Sequence, residues 1–71
     1  MKLFILHFGN AGDLSRAFDS ILASVHVISC VIESDQGRIR FQAPEAPAEK
    51  LIERIYADGG LRWCSRHRLD A

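Results

Sequence analysis

A chain of 71 residues that is 48% hydrophobic has material for one small core and too little length for two domains. Its nine basic and nine acidic residues cancel, which excludes bulk electrostatic attraction to nucleic acid or to an anionic membrane as its organising feature. No apolar run approaches the ~20 residues that span a bilayer, and two cysteines are too few for a disulfide scaffold, so a single cytoplasmic domain over residues 1–71 is expected.

Residues 3–8 are nearly all apolar, as in a central strand buried on both faces. The run is too short for a signal peptide and breaks at Gly9-Asn10. Gly9-Asn10-Ala11-Gly12 is a tight exit into a helix whose stripe is Leu14, Ala17, Phe18, Ile21 and Leu22. Asn10, Gly12 or Asp13 can cap it. Residues 25–33 are rich in β-branched side chains and read as a second strand. Ser34-Asp35-Gln36-Gly37 is a hairpin turn, and residues 38–42 alternate strictly as a third strand. Pro44 and Pro47 bracket a loop, with Pro47 expected as a first helical residue. The second helix turns Ala48, Leu51, Ile52 and Ile55 inward, with Tyr56 beside them, and Gly59 is its expected C-terminal cap. Residues 61–67 form a last strand.

The order strand, helix, strand, strand, helix, strand predicts an α+β, ferredoxin-like βαββαβ sandwich. Its four-stranded antiparallel sheet has the order 4-1-3-2, with both helices on one face. Strands two and four are then the edges.

Parity assigns the open face of that sheet. Ile39 and Phe41 face the helices, so Arg38 and Arg40 project outward. Leu61 and Trp63 read as inward, which sends Arg62 and Arg66 outward. Strand one adds Phe4 and Leu6 to the open face if Leu3 and Ile5 face the core. Arginines can simply cover an open face. Phe4, Arg38, Arg40, Arg62 and Arg66 can also form a surface for single-stranded nucleic acid. Strand two presents a different problem, being apolar on both faces yet at an edge. Such edges invite pairing, so Val25, Val27, Ile28, Cys30 and Val31 are the expected interface of a homodimer or of a protein adaptor.

No catalytic constellation emerges. None of the serines has a nucleophile-elbow context, and the carboxylates of the second helix fall on its solvated face. Cys30 and Cys64 lie on opposite edges, about 14 Å apart across the sheet at ~4.8 Å per strand. Cys64 and His67 point to opposite faces of one strand. Neither a metal site nor a cofactor is expected within one chain, and the protein is not expected to be an enzyme. The Gly9–Gly12 exit is the best local site, because unpaired amides at a helix start suit a carboxylate or phosphate.

Asn10-Ala11-Gly12-Asp13-Leu14 resembles the Asp-x-Pro-Gly-x-Leu signature of ACT domains, with Gly12 and Leu14 matching and Asn10 and Ala11 departing. The helix and strand that follow, and Leu51-Ile52 through Gly59-Gly60-Leu61, are similar to the rest of that family's pattern. The resemblance implies a dimeric regulatory module that senses an amino acid or another small anionic or zwitterionic metabolite near Asn10, Ala11, Gly12 and Asp13. The expectation is then that no further domain is attached and that a regulated partner is a separate protein. Residues 3–8 also resemble the first-strand motif of RNA-recognition domains, with Phe4 at the stacking position, although Phe41 falls on the core side. Acylphosphatases share the topology but need an arginine in the loop after strand one, where residues 9–12 have none.

Overall fold

The computed structural model describes residues 1–69. The elements run β1 (Lys2–Phe8), α1 (Ala11–Leu22), β2 (Ser29–Glu33), β3 (Arg38–Ala43), α2 (Glu45–Asp58) and β4 (Leu61–Arg68). All strand pairs are antiparallel, in the order β2-β3-β1-β4, which is the ferredoxin-like order expected from the sequence. One cluster holds the whole core. Phe4, Leu6, Phe8, Ile39, Phe41 and Ala43 come from the sheet; Leu14, Ala17, Ile21, Ala48, Leu51, Ile52 and Ile55 come from the helices. Both helices therefore cover the same face, and among the described residues no element covers the other.

Local chemistry sets the element ends. Asn10 caps α1 by accepting the Asp13 N–H at 2.8 Å. α1 turns Leu14, Ala17 and Ile21 inward, leaves Phe18 half-buried and exposes Leu22. Gly37 takes a positive φ of 65° at the hairpin, and its carbonyl accepts the Phe8 N–H at 2.8 Å, which ties the hairpin to the end of β1. α2 starts at Glu45, two residues before the expected Pro47. Pro47 remains in the first turn, where its missing N–H breaks no helical bond. Gly59, at φ 93°, ends α2 as expected, while Tyr56 is exposed and not part of the inward stripe.

Two faces are the reverse of those expected. In β1 the fully buried residues are Phe4 and Leu6, and Leu3, Ile5 and His7 stand on the open face. Phe4 lies opposite Phe41 in the β1–β3 register, and the rings stack with centroids 5.2 Å apart. Packing two aromatics against both helices outweighs any gain from exposing one. β4 is reversed by a bulge. His7 pairs with Trp63 and Phe8 with Leu61, so Arg62 is an extra residue. Leu61 keeps its inward position, but Trp63, Ser65 and His67 shift to the open face, while Cys64, Arg66 and Arg68 take the helix side.

β2 is also shorter than expected. Residues 25–28 lie outside it, because Val27 N–H bonds the Ser24 carbonyl in a turn and only Ile28 N–H still reaches β3, at Gln42. β3 ends at Ala43, and the following Pro44 has no N–H with which to extend the ladder.

Candidate functional site

The open face can be read as three rows across the sheet. The first runs Glu33, Arg38, His7, Trp63; the second Val31, Arg40, Ile5, Ser65; the third Ser29, Gln42, Leu3, His67. The first row holds an ion pair and an aromatic pair side by side. Glu33 holds Arg38 through two contacts, at 2.7 and 3.2 Å, and also pairs with Arg40 at 3.1 Å. The His7 ring lies parallel to the Trp63 indole at 3.7 Å. Hydrogen bonding to Arg38 is the main cause that holds the Glu33 carboxyl below its ordinary value, and Glu33 in turn raises Arg38. His7 is pushed below 6.5, first by desolvation and then by the Arg38 charge.

The five residues expected to contact nucleic acid do not share one surface. Arg38 and Arg40 are on the open face, but Phe4 is in the core. Arg66 leaves the face for α2, where its guanidinium grips Glu49 in a forked pair with contacts of 2.5 and 2.7 Å. That pairing lowers Glu49 and raises Arg66. Arg62, at the bulge, lays its stem across Gly9. His7 and Trp63 were not among the expected site residues. The signal was present in strand one, because His7 is the one polar residue of the run 3–8, and its parity puts Leu3 and Ile5 outside with it.

The expected ligand loop does bring Asn10, Ala11, Gly12 and Asp13 together, but Asn10 and Asp13 satisfy each other. Asn10 Oδ1 accepts from Asp13 N–H, Asn10 Nδ2 donates to Asp13 Oδ2 at 2.7 Å, and Arg16 pairs with the same carboxylate. The Asp13 carboxylate thus already supplies the negative charge favoured at the start of α1. It also abuts Gly60, where a Cβ would overlap it and where φ is 90°. The cleft beside Asp13 and Arg16 has only about 10 Å³, room for roughly one water.

The two free edges differ in guard. β4 carries Arg62, Arg66 and Arg68 and the bulge. β2 has one charge in five residues, Glu33 at its end, and that carboxylate is turned onto Arg38 and Arg40. Of the expected interface residues, Val31 is 44% exposed on the open face, while Cys30 packs against the core from the helix side. In the segment before β2, Val25 is 91% and Ile28 69% exposed, and Val27 is half-buried against the core.

Desolvation pushes the Cys30 thiol up to about 11 and also raises Cys64, so neither is a ready thiolate near neutral pH. Both cysteines are free, and among the described residues no three of the His, Cys, Asp and Glu side chains are grouped to hold a metal ion. No helix among the described residues is long and apolar enough to cross a membrane. The chain matches no family model, no curated protein and no solved structure.

Proposed function

We propose that this chain is a non-catalytic protein-interaction module that docks through the edge of β2, with a second copy of itself as the first partner. The observation that carries the reading is the contrast between the edges. Natural sheets guard free edges with charges, prolines or bulges. β4 has a bulge and three arginines, while β2 has neither a bulge-borne cation nor a proline.

The β2 sequence is self-complementary. A two-fold axis at Val31 sets Val31 against Val31 of the partner subunit, Cys30 against the partner's Ile32, and Ser29 against the partner's Glu33. Apolar side chains then meet apolar ones, and no two like charges are opposed. The result is a continuous eight-stranded sheet. For a domain this small, whose own chain buries only about 60% of its unfolded surface, such pairing also adds stability.

The Asn10–Asp13 loop is a filled helix cap and gives less support to metabolite sensing there. Sedimentation of the wild type and of Val31→Lys tests the proposal. The wild type should sediment at twice the 8.0 kDa chain mass, and the variant, folded but with lysines opposed across the axis, at the single-chain mass. Equal masses for the two proteins would overturn it.

A further inference from the structure

We infer that a groove between the end of α1 and the first half of α2 is a binding site for a soluble organic anion, of the class of a phosphate monoester with a short apolar body. The groove has a volume of about 540 Å³, within the ~300–1,000 Å³ range of small-molecule sites. It shares no residue with the Asn10–Asp13 loop and opens at the other end of α1, with Ser20 the one residue it has in common with the small cleft beside Asp13 and Arg16.

Its lining is sorted by charge. Lys50 and Arg54 from α2, His26 from the connection, and Ser20 and Ser24 line it, and no carboxylate does. Its apolar part comes from Val25, Pro47 and Leu51. α2 carries this sorting along its length. Glu49 and Glu53 face β4, while Lys50 and Arg54 face the groove. Each pair is four residues apart and of like charge, an arrangement that weakens an isolated helix.

The nearest acids leave these cations available. Glu53 and Asp58 are within a turn of them on α2, and Asp19 adjoins Ser20 on α1. Among the described residues, none of the three forms an ion pair with Lys50 or Arg54. The fit is therefore an anion held by the Lys50 ammonium and the Arg54 guanidinium. Its apolar body would cover Val25, which is otherwise among the most exposed apolar side chains of the protein.

Residue-resolved NMR titration of the whole chain with hexyl phosphate tests the site. Inorganic phosphate and hexylamine serve as comparison ligands, and phosphatidylglycerol vesicles as a separate arm. Saturable shifts confined to residues 20–26 and 46–54 are expected with hexyl phosphate. Inorganic phosphate should bind more weakly, hexylamine should give no shift, and the vesicles should not retain the protein. Lys50→Gln combined with Arg54→Gln, two surface changes that leave the core intact, should weaken binding by about tenfold or more. Shifts scattered over the surface, absent saturation, or undiminished binding by the double variant would overturn the proposal. Retention on vesicles without a hexyl phosphate response would overturn it too, by assigning the charge to a membrane surface.

Discussion

β2 and β4 are the two free edges of one sheet, and they solve the same physical problem in opposite ways. Each leaves backbone groups unpaired on its outer side. On β4, an inserted Arg62 breaks the register, three arginines crowd the strand, and Arg66 is anchored to α2 through Glu49. A second copy approaching that edge would meet like charges and a kinked ladder. On β2, the single acid is folded onto Arg38 and Arg40 of the neighbouring strand, so the outer side offers backbone and aliphatic surface. The lesson is that net charge, here zero, says little about association. What matters is which edge the charges stand on.

The largest effect should come from the core that both edges share. Phe4→Ala removes half of the stacked Phe4–Phe41 pair and should cost about 3–5 kcal/mol, read as a lower urea midpoint. A loss below about 0.5 kcal/mol would return Phe4 to the open face. Deleting Arg62 comes next. It closes the bulge and leaves Leu61 opposite Phe8 and Trp63 opposite His7 in a regular ladder, so every later residue keeps its face and the loss should be about 2 kcal/mol at most. Arg62→Ala keeps the extra residue and should stay within about 0.5 kcal/mol of wild type. A deletion that unfolds the protein would mean that Arg62 is not the extra residue that sets the faces of β4.

Assembly separates the edges next. Val31→Lys should weaken self-association by at least tenfold, about 1.4 kcal/mol, whereas Ser65→Lys on β4 should leave it unchanged. Sedimentation at several concentrations reads both. A dimer sensitive to Ser65→Lys and indifferent to Val31→Lys would exchange the roles of the two edges.

The smallest effects are those of pH. His7 has a folded-state pKa below 6.5, so the unfolded chain takes up its proton first on acidification. Its contribution to stability is complete above about pH 6.5 and declines as pH falls from there towards the folded value. His7→Leu should flatten that part of the urea-unfolding profile. Glu33 and Glu49, both depressed by their arginines, contribute above 4.5 and lose their contribution as pH falls through their lowered values. Glu33→Gln and Glu49→Gln should each remove a small acid-side step, and the absence of any change would mean the pairs are without consequence.

Much of the fold was legible because local chemistry and pattern agree. Asn10, Gly37 and Gly59 mark ends in the sequence and mark the same ends in the structure. The alternation from Arg38 to Gln42 fixes the β3 faces without help. The surfaces were less legible. Residues 3–8 are apolar on both parities, so their faces are decided by which aromatics the helices can cover. In β4, one inserted residue inverts every later side chain, and nothing in Leu61-Arg62-Trp63 distinguishes a bulge from regular alternation. β2 lost its first residues because Val27 closes a turn onto Ser24 and the strand it pairs with ends before Pro44, and neither limit shows in the β-branched composition of residues 25–28. The cationic groove was missed because its residues come from separate segments, and only packing brings His26 beside Lys50 and Arg54.

The claim that β2 pairs and β4 does not is tested most directly by residue-resolved amide hydrogen exchange at low and high protein concentration. Self-pairing through β2 predicts that outward amides within Ser29–Glu33 gain at least tenfold protection as concentration rises, while those of Leu61–Arg68 exchange at a constant rate. Concentration-independent exchange in β2, or protection that develops along β4 instead, would contradict the account.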